Sequence, residues 1–130
     1  CPLPPNRNIP IWIGGTAAPA MRRAARTGDG WIPYAPAAEA PAMMDAFRKV
    51  MDAEGRSMDG FGMEAVVFTH PADRPDFGGR TSTVEDAFAD IEVWRREGVT
   101  HVSLHSMATG AKDVPAHTAF LEKVIAGLDR

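Results

Sequence analysis

Apolar residues along the chain form either short continuous runs or segments in which they recur every three or four positions. The continuous runs, rich in β-branched and aromatic residues, predict four strands, and the spaced segments predict four helices. Glycines at 28, 55 and 98 stand where helices are expected to end. The predicted strands cover residues 9–13, 30–34, 62–69 and 99–106, and the predicted helices cover 16–27, 38–54, 83–97 and a last segment opened by Pro115.

The predicted helices carry start signals and apolar faces. Thr16 is the expected N-cap of the first helix, and Thr83 with Asp86 forms the Ser/Thr-x-x-acid signature of a helix start. The spacing of the large side chains gives each longer helix one buried face. These faces consist of Met43, Phe47, Val50 and Met51 in the helix over 38–54, and of Phe120, Leu121, Val124, Ile125 and Leu128 in the last helix.

The order of elements is strand, helix, strand, helix throughout, with no hairpin signal between successive strands. Strands alternating with helices imply right-handed crossovers and a parallel sheet covered by helices, so the fold class is α/β. Two architectures fit this order: an open doubly wound sheet, or part of a (β/α)₈ barrel of the TIM type. Four units in 130 residues are about half of the roughly 250 residues that such a barrel needs.

Composition and charge exclude several function classes. The net charge of −3 gives no electrostatic case for nucleic acid or for an anionic membrane surface, and no apolar run approaches the ~18 residues of a transmembrane helix. The single cysteine, Cys1, excludes an internal disulfide and makes a cytoplasmic location the expectation. The proline-rich lead over residues 1–8 lacks a starting methionine, so we expect the start to lie inside a longer polypeptide and the domain to cover 9–130.

Two glycines and a threonine end the first predicted strand, directly before a helix. In parallel α/β folds, ligands bind at the carboxyl ends of the strands, and the following helix offers free N–H groups and the positive end of its dipole. Gly14 and Gly15 would then let a phosphate approach the backbone, with the Thr16 hydroxyl as an additional donor. The alternative is that the two glycines only make a tight turn.

The longer stretch "PIWIGGTAAPAMRRAARTGDGW", residues 10–31, closely resembles a mid-sequence segment of the luciferase-like monooxygenase family, which contains flavin- and deazaflavin-dependent oxidoreductases. In that family a strand ending in Gly-Gly leads into a helix of the "ALRRAAR" kind and then into a Gly-Asp-Gly-Trp turn. The stretch "TVEDAFADIEVWRREGVTHVSLH", residues 83–105, resembles the last helix–strand pair of the family.

The resemblance implies a (β/α)₈ barrel of which this chain is the C-terminal half, strands five to eight. It further implies that Gly14 and Gly15 contact the phosphate of FMN or of coenzyme F420, in an oxidoreductase or monooxygenase acting on a small-molecule substrate. Most contacts to the flavin or deazaflavin ring come from the first half of the family's barrel. The chain is therefore expected to be such an enzyme or a C-terminal fragment of one.

Three side chains are candidates for a substrate pocket. His105 lies near the end of the fourth strand, and alternation places His101, Ser103 and His105 on the face away from the helices if Val102 and Leu104 face them. His70 follows the third strand, and Tyr34 stands at the end of the second. No residue is assigned a catalytic role, and no His, Cys and acid cluster has metal-ligand spacing.

Other polar residues have simpler expected roles. Arg22, Arg23 and Arg26 are expected on a solvated helix face, and Asp29 is expected to accept backbone hydrogen bonds within its Gly-Asp-Gly turn. Trp31 is expected to pack in the core. The loop over 70–82 is long for a strand–helix connection and would serve as a lid over the site.

Three hypotheses on function remain open. The first is the flavin- or F420-dependent redox enzyme. The second is a non-catalytic half-barrel that buries its exposed strand edges, residues 9–13 and 101–106, by forming a homodimer or by binding a missing N-terminal half. The third is an open doubly wound domain that binds simple phosphates as a monomer.

Overall fold

Four β/α units follow one another in the computed structural model, which describes residues 9–69, 83–106 and 114–128. The predicted alternation of strands and helices is confirmed. The elements are β1 (Trp12–Gly14), α1 (Ala18–Thr27), β2 (Gly30–Ile32), a 3₁₀ turn (Ala37–Glu39), α2 (Ala40–Ala53), β3 (Gly62–Thr69), α3 (Val84–Arg96), β4 (His101–Ser106) and α4 (Val114–Leu128).

The four strands form one parallel sheet in the order β1-β2-β3-β4, which confirms the predicted parallel α/β class. Trp12 pairs with Gly30 and Gly30 with Gly62, while Glu64 of β3 pairs with His101 of β4. Each strand lies beside the next one in the chain, so the sheet grows in one direction. Within the described ranges, no helix is long and apolar enough to cross a membrane.

The helices cover one face of this sheet. Helix residues Phe47, Trp94 and Val124 belong to a single buried cluster with Ala65 and Val67 of β3. The opposite face carries the residues between them in the alternation, and we call it the helix-free face because the four described helices contribute to the cluster on the first face. A doubly wound sheet has helices on both faces, so this arrangement favours a barrel segment over that hypothesis. The helix-free face comprises Trp12, Glu64, Val66, Phe68, His101, Ser103 and His105.

The first predicted strand and the first predicted helix both begin too early. β1 begins at Trp12 and not at residue 9, because Pro10 has no N–H and the Ile11 N–H donates to a carboxylate oxygen of Asp29 at 2.8 Å. Thr16 is not the N-cap of α1. That position belongs to Ala17, with extended backbone and no side-chain cap, and Pro19 stands in the first helical turn, where an N–H would have no partner.

Two further predictions, the end of the second strand and the buried face of the last helix, need correction. β2 ends at Ile32 and does not reach residue 34, and a 3₁₀ turn precedes α2. The predicted apolar face of α4 is only partly buried: Val124 is covered, whereas Ile125 is 61% and Leu128 54% exposed. The helix packs on β4 and α3.

Candidate functional site

The glycine pair at the end of β1 is held by its neighbour, β2. The Gly15 N–H donates to the Ile32 carbonyl at 3.1 Å, and the indole Nε1 of Trp31 donates to the Gly15 carbonyl at 2.7 Å. Gly15 has φ +112°, a region that L side chains rarely adopt. The turn therefore needs glycine at position 15 for its backbone conformation alone.

Gly14 has no such reason to be glycine. A Cβ atom built on it would meet only the Ile32 carbonyl oxygen at 3.9 Å, which is ordinary van der Waals contact, and its φ is not positive. The residue is exposed at the carboxyl end of β1. The fold thus tolerates a side chain at position 14, and its absence leaves open space beside the start of α1.

The donors at this strand end differ from those that the sequence suggests. The Gly15 N–H is used in the bond to Ile32, so it is not available to a ligand. Pro19 in the first turn of α1 has no N–H, the Ala20 N–H donates to the Ala17 carbonyl at 2.8 Å, and no side chain caps the helix. Gly14 therefore provides space, and the donors left beside it within the described residues are the N–H groups of Thr16, Ala17 and Ala18.

Asp29 links the Gly-Asp-Gly turn to the residues just before β1. Its carboxylate accepts from the Ile11 N–H and its own N–H donates to the Ile11 carbonyl at 2.7 Å, so its carboxylate partner lies 18 residues earlier. Asp29 therefore accepts a backbone hydrogen bond, as predicted, but from Ile11 and not from within its Gly-Asp-Gly turn. The Asp29 carbonyl then accepts from Gly62 N–H at 2.9 Å, which continues the link to β3.

Three rings meet on the helix-free face, where β2, β3 and β4 end. The Tyr34 ring lies edge-to-face against Phe68 with centroids 5.0 Å apart, and Phe68 lies edge-to-face against His105 at 5.4 Å. Tyr34 is 64% exposed and His105 is also exposed, so the group presents surface to solvent. The structure thus brings Tyr34 and His105 together through Phe68, which the sequence reasoning missed. We call these three residues the aromatic row.

Nearer the start of the strands, the helix-free face is filled by Trp12. Its indole lies over Gly30 and Gly62 and meets the His101 ring edge-to-face at 5.1 Å. The Thr100 hydroxyl lies 2.8 Å from Nδ1 of His101. His101 therefore contacts both Trp12 and Thr100 at this end of the sheet.

Between Trp12 and the aromatic row lies the half-buried carboxylate of Glu64. The Ser103 hydroxyl donates to Glu64 Oε1 across the β3–β4 pair. Sequence reasoning missed Glu64 because it stands inside an otherwise apolar strand, and only the register with β4 gives it a partner.

A cleft of about 650 Å³ lies at the opposite, amino-terminal end of the sheet, between Pro10, Met58 and Phe61. Chemistry in parallel α/β folds is carried at the carboxyl ends of the strands. We therefore place the candidate site at the glycine pair and the aromatic row and not in this cleft.

Several predicted site residues have a simple outcome. His70 and the loop over 70–82 lie outside the described residues. Arg22, Arg23 and Arg26 are exposed, as predicted, and Arg26 lies 3.8 Å from Glu54. Within the described part of the chain, no three His, Cys, Asp or Glu side chains are grouped as metal ligands would be.

Comparison with known proteins gives a family and a fold. The family model for luciferase-like monooxygenases matches residues 1–113. No curated protein matches the sequence.

Two solved structures resemble the fold at low sequence identity. One is an F420-dependent secondary alcohol dehydrogenase in complex with an F420–acetone adduct, with TM-score 0.62 and 10% identity over 84% of this chain. Another is the coenzyme F420-dependent tetrahydromethanopterin reductase from Methanopyrus kandleri, with TM-score 0.56 and 14% identity over 79% of this chain. This chain spans 46% of each of those structures. With the family model matching most of its residues, the chain belongs to the luciferase-like monooxygenase family.

Proposed function

We propose that this chain is the C-terminal half, strands five to eight, of a (β/α)₈ barrel that binds coenzyme F420 or FMN and carries out an oxidoreductase or monooxygenase reaction. The observation that carries the proposal is Gly14, a glycine that the fold does not require, at the end of a strand and before an uncapped helix. Family membership and the F420-dependent structural neighbours support the redox class.

The arrangement of helices and strands supports the proposed half-barrel. All packed helices lie on one face of a sheet that grows in one direction, as the strands of a barrel do. The chain spans 46% of the neighbouring structures, close to four units of eight. The helix-free face would then be the interior of the barrel, with Trp12 filling its amino-terminal end and the aromatic row bordering the active-site end.

The residues at the glycine pair fit a phosphate group. The space beside Gly14 admits an anion close to the backbone, and the Thr16 hydroxyl and the N–H groups of Thr16, Ala17 and Ala18 are donors of the right kind. When bound, the cofactor would supply hydride transfer, for a deazaflavin, or oxygen activation, for a flavin. This chain's part is to anchor the phosphate and to exclude water from the carboxyl ends of the strands.

The aromatic row is the proposed substrate side of the same site. Its exposed rings, Tyr34 and His105, offer apolar surface together with a hydroxyl and two ring nitrogens, and Phe68 fixes their spacing. His70, which follows β3 directly, is proposed as a further member. A small organic substrate would pack on these rings beside the cofactor.

Separate titrations with coenzyme F420 and with FMN, followed by absorbance and fluorescence, test the proposal. We expect one of them to bind, and Gly14→Val to weaken that binding at least about 10-fold while the free energy of unfolding changes by less than about 0.5 kcal/mol. Ala53→Val, at an exposed position at the end of α2, is the matched control and should leave binding unchanged. Failure of both cofactors to bind would contradict the proposal.

A second candidate function, association through the sheet edges, is favoured by the distribution of exposed apolar residues. Of the seven large apolar side chains exposed among the described residues, six lie at the two outer edges and only Tyr34 lies elsewhere. Those edges would be covered by four further β/α units, from a longer polypeptide or from a second copy of this chain. The six are Ile9 and Ile11 beside β1, and Val102, Val114, Ile125 and Leu128 on β4 and α4.

Sedimentation of the chain over a range of concentrations tests the association. We expect a dimer that Ile11→Asp and Ile125→Asp each weaken, because the substitutions place a charge in the buried edge, whereas Ala53→Asp leaves it intact. A stable monomer would contradict the homodimer and leave completion by an N-terminal half. Location in the cytoplasm, inferred from the single cysteine, stays a prediction.

A further inference from the structure

Trp31 combines full burial with one directed hydrogen bond. Its side chain has no exposed surface, and its ring is stacked on Phe47 with centroids 4.1 Å apart. Its indole N–H has a partner, the Gly15 carbonyl oxygen at 2.7 Å. Phe47 of α2 packs on the Trp31 ring, and the Trp31 indole N–H donates to Gly15. Trp31 therefore connects the helix layer to the end of β1.

The hydrogen bond fixes the direction of one peptide group. The peptide between Gly15 and Thr16 is planar and trans, so its C=O and N–H point in opposite directions. With the Gly15 carbonyl aimed at the buried indole, the Thr16 N–H points away from the core. The second bond of the turn, from Gly15 N–H to Ile32 at 3.1 Å, prevents the preceding peptide from rotating in compensation.

Glycine alone would not keep this orientation. Gly15 is the residue with the widest choice of backbone conformations, and its φ of +112° is one of several that it adopts at similar cost. Without the indole donor, the peptide after it would be free to turn and to present its carbonyl oxygen, which repels an anion, at the strand end. The indole thus decides whether this turn offers a donor or an acceptor.

We infer that Trp31 is a positioning residue for the proposed phosphate site: its indole N–H holds the Gly15 carbonyl toward the core so that the Thr16 N–H faces the ligand. This inference rests on the proposed function. It also assigns a reason to the joint presence of Gly-Gly and Gly-Asp-Gly-Trp in one stretch, since Trp31 of the second motif sets the direction of a peptide in the first.

The test replaces the indole N–H and nothing else. Benzothienylalanine placed at position 31 keeps the shape and the stacking on Phe47 but has sulfur in place of N–H, and 5-fluorotryptophan at the same position keeps the donor. We expect the benzothienyl variant to bind the cofactor about 10-fold more weakly, with a midpoint of unfolding lowered less than by Phe47→Leu, and the fluorinated variant to bind as wild type does.

A packing control separates positioning from stability. Phe47→Leu removes the ring on which Trp31 stacks but leaves the indole N–H, so it should lower the midpoint of unfolding and change cofactor affinity little. Equal affinity of the wild-type and benzothienyl proteins would overturn the inference and leave the proposed function in place. A wild-type protein that binds neither F420 nor FMN would overturn both.

Discussion

The indole of Trp12 lies so close to Gly62 that a Cβ atom on that glycine would collide with the ring. Gly30, on the strand between them, is in the same position. The two glycines of β2 and β3 are therefore a groove that seats one large side chain from β1, and the ring reaches across them to His101 on β4. One residue thus connects all four strands at the amino-terminal end of the helix-free face.

Gly62→Ala should destabilise the protein because the added methyl group overlaps the Trp12 ring. We expect a loss of about 1–3 kcal/mol in the free energy of unfolding, measured with urea. The same substitution made in a Trp12→Ala protein should cost far less, since the ring that it would strike is gone. Equal costs in the two backgrounds would contradict the packing described here.

Arg56, three residues after the end of α2, stabilises the C-terminus of α1. Its Nη1 donates to the carbonyl oxygens of Ala25 and Gly28, each at 2.8 Å, and its guanidinium lies over the Phe61 ring. Arg56→Gln should lower the free energy of unfolding by about 1.5–3 kcal/mol, because carbonyl groups at a helix end lose a charged donor.

Arg26→Gln is the control for that prediction. Its ion pair with Glu54 is long, at 3.8 Å, and its side chain is 68% exposed, so we expect little change in thermal or urea unfolding. If Arg26→Gln lowered the free energy of unfolding as much as Arg56→Gln, the loss would come from net charge and not from the Arg56 bonds to the end of α1.

The start of α3 makes unfolding depend on acid pH. The Thr83 backbone N–H donates to the Asp86 carboxylate at 2.7 Å, and this bond, with a second one from the Thr83 hydroxyl, lowers the pKa of Asp86 below its ordinary value of 3.8. A lowered folded-state pKa gives stability that is fully present above the ordinary pKa and is lost as pH falls through the folded one.

Comparison of the wild type with Asp86→Asn over pH tests this linkage. We expect the wild type to be the more stable at neutral pH and the difference in unfolding free energy to shrink as the solution is acidified below the ordinary Asp pKa of 3.8. A difference that does not change with pH would show that the Asp86 charge contributes nothing.

Phe68 should affect substrate handling more than stability. It is half-buried between Tyr34 and His105, outside the main core, so Phe68→Ala would free both rings to move. In the proposed enzyme we expect KM for the substrate to rise about 10-fold, with cofactor affinity unchanged because the glycine pair is untouched. Matching losses in substrate and cofactor affinity would contradict the separation of the two parts of the site.

Local patterns predicted the repeating architecture well. The alternation of four strands with four helices follows from hydrophobic periodicity, and the Thr83–Asp86 start of α3 forms the predicted capping box with bonds in both directions. The start of α1 could not be obtained in this way. Thr16 has the better side chain for a cap, but the turn of Gly15 and the position of Pro19 place the cap at Ala17.

The contacts that shape the candidate site depend on tertiary structure and leave no local signal. The Trp31 bond to Gly15 spans 16 residues, and Arg56 reaches back 31 residues to Ala25. Phe68 reads as one more apolar residue of β3 until the register places it beside His105. Sequence therefore indicated where the site lies, whereas the direction of its peptide groups required the packed sheet.

The amide chemical shift of Thr16, in the ¹⁵N-labelled protein titrated with coenzyme F420 or FMN, shows whether the cofactor binds at the glycine pair. We expect Thr16 and Gly14 to shift on binding, whereas Gly60 and Gly98, at the opposite end of the sheet, do not. Binding that leaves Thr16 unchanged and shifts Gly60 and Gly98 would place the ligand in the amino-terminal cleft and contradict a phosphate site at Gly14.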